Sequence, residues 1–340
     1  MRRGSLSGET VEDRKLDHLR IVMSGEAERR GALFDRVYLL HKALPRVALQ
    51  DVDTSVEFLG YSLDTPMFIA AMTGGAAGTE QINRRLADVA QSVGMALFLG
   101  SMRPAIEKGL YPASYAMKGF APDVPVIGNI GLQDFMTHYE KVESFSKDMG
   151  FDAIAIHMNA LQEAIQREGN HTYSFDLSVV RERIKEFGLP VIFKETGAGV
   201  DYATASTIKS LGAAYLDVSG RGGTSWSAVE MRRGGGPPGF EEWGIPTVLS
   251  LLACKGVLPL LASGGVRSGI DGAKALALGA EMFGAAAPFL VNPRETAELW
   301  LEQLRIAMFL TDSPTVREIR GKYYAEPSLF ELVRQIKGNR

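Results

Sequence analysis

Cysteine is almost missing: the chain of 340 residues contains one, Cys254. A single thiol excludes an intramolecular disulfide framework and a cysteine-built metal cluster. Cys254 lies in the apolar stretch LSLLACKGVL, where packing is the simplest role for it. A reducing, cytoplasmic setting is therefore expected. Long apolar runs are missing too. Gly, Pro or charge breaks the most apolar stretches before any reaches the roughly 20 residues of a membrane span. The opening residues, MRRGSLSGETVEDRK, lack the apolar centre of a signal peptide. Excess charge of one sign is also lacking, with a formal net charge of -3. Nothing global draws the chain to nucleic acid or to an acidic membrane surface, so an anionic ligand must be held by local positive groups.

What is present suits a large core: 46% of the residues are hydrophobic and 23% charged. The length exceeds an ordinary single domain, yet α/β barrels run this long as one unit. Eight apolar runs recur: PMFIAAM (66–72), ALFLGS (96–101), PVIGNIG (125–131), AIAIHMN (153–159), PVIFKET (190–196), YLDVSGR (215–221), PLLASGG (259–265) and MFGAAAPFL (282–290). They are continuous rather than alternating, as in parallel strands covered on both faces. Helix-like segments separate them. TEQINRRLADVAQSVG opens at a cap candidate, Thr79. DLSVVRERIKEFGLP opens at Asp176 and stops at Gly188 and Pro190. IDGAKALALGA precedes the last run, and the amphipathic ETAELWLEQLRIAMFL reads as the closing helix. The alternation predicts an α/β fold, a (β/α)₈ TIM barrel, in preference to an open doubly wound sheet. The expected division is an N-terminal arm or lid over 1–60, the barrel over 61–312 and a C-terminal tail over 313–340.

In such barrels the functional groups gather where strands end. Here every run ends in glycine or polar residues, which packing alone does not require. SGGVRSG after the seventh run, with Gly284, Ala285 and Ala286 in the eighth, has the placing of a phosphate site. Lys194 sits inside an apolar strand, where an unpartnered ammonium is costly. An end reaching the barrel mouth, a Schiff-base lysine and a cation facing an anionic cofactor all stay open. A simple pair with Glu195 is disfavoured, because neighbours in a strand point to opposite faces. HMNALQE raises the sharpest question, since a buried strand there runs into His157, Asn159, Gln162 and Glu163.

RKLDH, MTGG, GSMR, GNIG, HMNALQE, KETGAG, SGRGGTSW and SGGVRSG follow one another in this order. Together they resemble the type 2, FMN-dependent isopentenyl diphosphate isomerases, over roughly residues 14–290. HxNxLQE and SGRGGTSW are the specific motifs among them. The resemblance implies a barrel that binds FMN and Mg²⁺, uses NADPH as flavin reductant, and interconverts isopentenyl and dimethylallyl diphosphate. It also implies a cytoplasmic homo-oligomer whose partner is a small diphosphate, with no nucleic acid and no membrane. Toward FMN it places Ala71, Met72, Thr73, Ser101, Asn129 and Lys194, then Ser219, Thr224, Gly264, Gly265, Arg267, Ala285 and Ala286. Toward the substrate it places Arg14, Lys15, His18, Ser101, Arg103, His157, Asn159 and Gln162, with Gln162 at the reacting carbons and Glu163 on the metal. One departure is visible: Ala160 stands where the family motif carries proline.

The implied reaction adds one proton and removes another at carbons that are barely acidic or basic. An amide carries protons poorly, so the proton traffic is expected at reduced FMN, with Gln162 positioning. Lys194 would stabilise the anionic reduced flavin. Arg14, Lys15, Arg103, His157 and Mg²⁺ would supply the cations for the diphosphate. Simpler roles stand beside these: Arg14 and Lys15 as solvated arm residues, His157 as a core histidine, Glu163 as the start of a solvated helix, Trp226 as packing. No functional role is expected for His138, His171 or Trp300. Two other functions remain to be separated. A 2-hydroxy acid oxidase on the same barrel would need a histidine base near the sixth or seventh strand, where SGRGGTSW has none. A non-catalytic phosphate-ligand sensor would leave the full set of polar strand ends unexplained.

Overall fold

Eight short strands, all in parallel register, close into a ring in the computed structural model, which describes residues 11–166, 169 and 174–338. His171 lies outside the described residues. The strands are β1 (Met67–Ile69), β2 (Ala96–Phe98), β3 (Val126–Gly131), β4 (Ala153–Met158), β5 (Val191–Glu195), β6 (Tyr215–Asp217), β7 (Leu260–Ala262) and β8 (Met282–Ala285). Neighbours in sequence are neighbours in space, and β8 returns to β1 with Phe283 opposite Met67 and Ala285 opposite Ile69. The ring excludes the open sheet. Nearly every strand residue is buried, because side chains pointing inward fill the barrel and those pointing outward meet the helices. That is why the runs do not alternate.

Two local expectations change. The eighth strand stops at Ala285, and residues 287–291 form a short helix with Pro288 in its first turn. Proline has no N–H to give to a sheet ladder but fits the start of a helix. The helix Thr79–Val93 is capped by Gly78 rather than Thr79, whose hydroxyl instead donates to Ala76 O at 2.6 Å. Asp176 does cap its helix, accepting from Ser178 N at 2.9 Å. Cys254 is buried at the end of the helix Thr247–Cys254, its thiol pushed up to about 12 by burial. The closing helix Pro293–Leu310 packs Trp300 against Phe289 and Phe283, with ring centres 5.2 and 6.3 Å away.

The arm and the tail are not separate from one another. Strand Val37–Leu39 of the arm pairs antiparallel with Tyr323–Ala325 of the tail, and Tyr38 stacks on Tyr324 with ring centres 5.0 Å apart. The boundary expected at residue 60 falls inside a hairpin, Val56–Phe58 with Tyr61–Leu63, turned by Leu59 and Gly60 at positive φ. Phe58 packs edge-on against Tyr215 at the start of β6, and Tyr61 donates to Asp152 Oδ1 at 2.6 Å. The hairpin thus covers the N-terminal end of the barrel. At the opposite end the arm helix Val11–Met23 lies across the barrel mouth of its own chain. Among the described residues no helix is long and apolar enough to cross a membrane.

Candidate active site

Two cavities adjoin at the C-terminal ends of the strands, and Ala71, Met72, Lys194, Thr196 and Trp226 form their common wall. Their volumes are about 190 and 410 Å³, beside the roughly 300–1,000 Å³ of small-molecule sites. The first is bounded by Arg14, Lys15 and His18 of the arm, Thr73 after β1, Ser101 and Arg103 after β2, and Asn129 of β3. His157, Asn159, Gln162 and Glu163 complete it. The second is bounded by Ser219 and Thr224 after β6, Gly264, Gly265 and Arg267 after β7, and Ala285 and Ala286 of β8. The structure therefore brings every site residue expected from the sequence to one cavity or the other, with Thr73, Ser101 and Asn129, expected toward FMN, in the first cavity rather than the second.

HMNALQE is built by a change of element. Strand β4 ends at Met158, and the helix Ala160–Ile165 starts two residues later, so Gln162 and Glu163 lie one turn above His157. Ala160 is the first helical residue, a position that favours proline and accepts alanine at no cost in hydrogen bonds. Asn159 Nδ2 donates to Glu163 Oε1 at 3.0 Å, fixing the carboxylate toward the cavity. Gln162 Nε2 donates to Glu230 Oε1 at 2.9 Å.

Glu230 is the residue that the sequence did not reveal. It lies on the helix Trp226–Arg232, is 1% exposed, and has His18 Nε2 at 2.9 Å and Arg233 Nη1 at 2.5 Å. Burial alone would push its carboxyl up. The contacts with His18, Gln162 and Arg233 outweigh burial and hold it below the usual carboxylate range. Burial pushes His18 down against the same carboxylate. An ionised, buried carboxylate thus stands directly behind the Gln162 amide.

The other charges divide by surroundings. Lys15 donates to Ser101 O at 3.3 Å, and its ammonium is lowered to about 7 by desolvation, then by Arg14 and Arg103. His157 is pushed down to about 3 by desolvation, and then by Lys194, Lys15 and Arg103. In the ligand-free site it is a neutral imidazole, with Nδ1 2.9 Å from Asn129 Oδ1. Arg103 lies 3.0 Å from Glu107 and 3.7 Å from Asp134, a carboxyl raised to about 6 by burial. Lys194 Nζ donates to Glu195 O at 2.8 Å. The Glu195 carboxylate instead takes the amides of Thr196, Gly197, Ala198 and Gly199, as opposite faces of the strand require. Lys194 faces Asp217 across the β5–β6 pairing. Asp217 is 1% exposed and accepts from Ser263 Oγ at 2.7 Å and from the amides of Ser219 and Ser263, both at 3.1 Å. Burial lowers Lys194, and Asp217 and Glu195 oppose that shift. Asp217 carries the same signal in the sequence as Lys194, an ionisable group inside an apolar run.

In the second cavity the loops after β6 and β7 touch backbone to backbone. Gly264 has φ +87, and a Cβ there would lie 2.2 Å from Gly220 O. Gly264→Ala is expected to lower the unfolding free energy by about 2 kcal/mol or more, through strain at positive φ and the collision. Urea denaturation beside the wild type measures it. At the rim Thr224 Oγ1 donates to Glu28 Oε1 at 2.5 Å, and Arg267 Nη2 lies 3.2 Å from Glu28 Oε2.

With the geometry in place, similarity to known proteins decides the family. An isopentenyl-diphosphate delta-isomerase of Archaeoglobus fulgidus is 40% identical over 327 residues, covering 92% of this chain and 95% of the relative. The isomerase of Methanothrix thermoacetophila is 41% identical, covering 92% of each, and that of Rickettsia felis 38%, covering 90% and 94%. The chain belongs to the isopentenyl-diphosphate delta-isomerase family. Residues 177–293, from the helix before β5 through β8, also match a family model described as a conserved region in glutamate synthase. Solved structures of low identity share the isomerase chain's fold. A mandelate oxidase variant with an FMN adduct is 18% identical at TM-score 0.61, covering 94% of this chain and 93% of that one. A Pediococcus acidilactici (putative) lactate oxidase is 17% identical at TM-score 0.66, covering 94% and 95%.

Proposed function

We propose that the protein interconverts isopentenyl and dimethylallyl diphosphate with FMN in the larger cavity, the diphosphate in the smaller, and Mg²⁺ between Glu163 and the diphosphate. The observation that carries the reading, beside family membership, is the common wall. It sets the Gln162–Glu230 pair and the cations of one cavity against the glycine loops and Lys194 of the other.

The residues fit the groups. Thr224, Arg267 and the amides of Gly264 and Gly265 make a donor set for a phosphate monoester. Lys194, buried and backed by Asp217, is a cation for a reduced flavin ring. Among the described residues no cluster of three or more His, Cys, Asp or Glu gathers, but Mg²⁺ shared with a diphosphate needs only one or two carboxylates. Bound in its reduced form, the flavin would supply a proton donor or acceptor beside the reacting carbons.

The chain's own residues do the rest. Arg14, Lys15 and Arg103 meet the diphosphate, and Asn159 orients Glu163. Glu230 is an ionised acceptor behind Gln162: as the Gln162 carbonyl oxygen takes a proton, Nε2 gives its own to Glu230, so the amide relays a proton without keeping one. The oxidase reading fares worse. Only His18 and His157 border the cavities among the described residues, and they come from the arm and from β4, not from the loops after β6 and β7 where the oxidase would need its base. Anaerobic turnover of isopentenyl diphosphate with FMN, NADPH and Mg²⁺ omitted in turn tests the proposal. Each omission should stop the reaction. Turnover that persists without flavin sinks it, and flavin bleaching by lactate or mandelate would favour the oxidase.

Lys15 gives the site a pH signature. Its ammonium, lowered to about 7, is charged below that pH and neutral above it. KM for the diphosphate should climb as pH rises through 7, by up to about tenfold for one lost charged contact. Lys15→Arg keeps the charge and should flatten the profile. Stability moves the other way. Between about 7 and the ordinary 10.5 the unfolded chain holds the extra proton, so this group makes the ligand-free fold more stable as pH rises.

A further inference from the structure

The arm brings one carboxylate to the rim of the larger cavity. Glu28 is paired in a bridge with Thr224, accepts the Thr224 hydroxyl at 2.5 Å, and has Arg267 Nη2 at 3.2 Å. These are the two side chains that the proposed function turns toward the flavin phosphate. A threonine hydroxyl has one proton to give, and here Glu28 takes it. Arg267 is similarly committed. Nη1 donates to Gly222 O at 2.7 Å and Gly265 O at 3.3 Å, and Nη2 to Arg29 O and Glu28. Glu28 is the side-chain acceptor among those four, and the one that can swing away without moving backbone.

We propose that Glu28 is a phosphate surrogate: an arm carboxylate that holds Thr224 and Arg267 and must yield them for a phosphate monoester to bind. The proposal rests on the assignment of this cavity to the flavin phosphate. Two anions on one guanidinium and one hydroxyl repel each other, so the two states exclude one another. The exposed ion pair contributes little by itself; competition for the Thr224 proton is the larger part. The arm stays docked when Glu28 leaves, because Arg29 N donates to Gly223 O and Ser225 N to Ala27 O, both at 2.9 Å.

Equilibrium titration of the flavin-free full-length protein and Glu28→Gln tests this, with FMN, riboflavin and inorganic phosphate as probes. Glutamine keeps the size and removes the charge. FMN should bind the variant about tenfold more tightly, riboflavin with its usual affinity, and inorganic phosphate more tightly, since charge-assisted bonds are about twice as strong as neutral ones. An unchanged or smaller ratio of FMN to riboflavin affinity overturns the proposal. A fall in both affinities overturns it as well, making Glu28 a strut of the arm. If neither flavin binds the wild type, the cofactor assignment is what has failed, and the phosphate titration still decides the role of Glu28.

Discussion

Glu230→Gln is expected to cut turnover by about 10²–10⁴-fold, the usual weight of one acid–base group. Flavin affinity should stay within about twofold, because Glu230 borders neither loop of the larger cavity. The amide keeps the length and still reaches Gln162, but it cannot accept a proton. If Glu230 only held Gln162 in place, the isosteric amide would preserve that contact and most of the turnover. The variant also leaves Arg233, 5% exposed, facing a neutral group. Loss of one partner of a buried pair costs roughly 3–5 kcal/mol. The melting temperature must therefore be measured in parallel, and Glu230→Gln/Arg233→Met should regain stability without regaining rate. A kcat loss that disappears in the stabilised double variant would reduce Glu230 to a structural role.

Lys194→Met is expected to lower kcat by about 10²–10³-fold, the loss typical of removing one preorganised donor from a site. Oxidised FMN should still bind, while the reduced flavin binds more weakly and its midpoint potential falls. The geometry supplies the control. Lys194 pairs across β5–β6 with Asp217, a carboxylate that burial raises and Lys194 lowers. Removing the lysine alone strands that carboxylate in the barrel. Lys194→Met/Asp217→Asn relieves the stranded charge and should restore the unfolding midpoint while leaving the potential and kcat depressed. Recovery of turnover in the double variant would show that the single variant was merely misfolded.

The barrel was legible because its strands are buried on both faces. The eight apolar runs needed only length and punctuation to be recognised. The site was legible for a related reason: chemistry in this fold collects where strands end, so HMNALQE stood out as a strand that finishes in the wrong residue types for a core. Glu230 was not legible. Ser227, Ala228, Val229 and Glu230 are buried in succession, so no helical periodicity marks the glutamate, and its partner His18 comes from the distant arm. The neutral state of His157 in the ligand-free site was not legible, because it depends first on burial and then on three cations brought together from β5, the arm and the loop after β2. The pairing of Val37–Leu39 with Tyr323–Ala325 joins three-residue strands from opposite ends of the chain, too short for a pattern to announce. Ala160 turned from an unexplained departure into a helix start, where alanine and proline are both at home.

The most direct measurement of the central claim, that both cavities serve one proton-shifting site, is NMR of isopentenyl diphosphate in D₂O. The protein is loaded with FMN and Mg²⁺ and reduced under argon. Dimethylallyl diphosphate should accumulate with solvent deuterium in its methyl group, and Glu230→Gln should slow its formation with flavin still bound. Isopentenyl diphosphate that remains unlabelled and unconverted on the fully reduced, flavin-loaded protein would contradict the account.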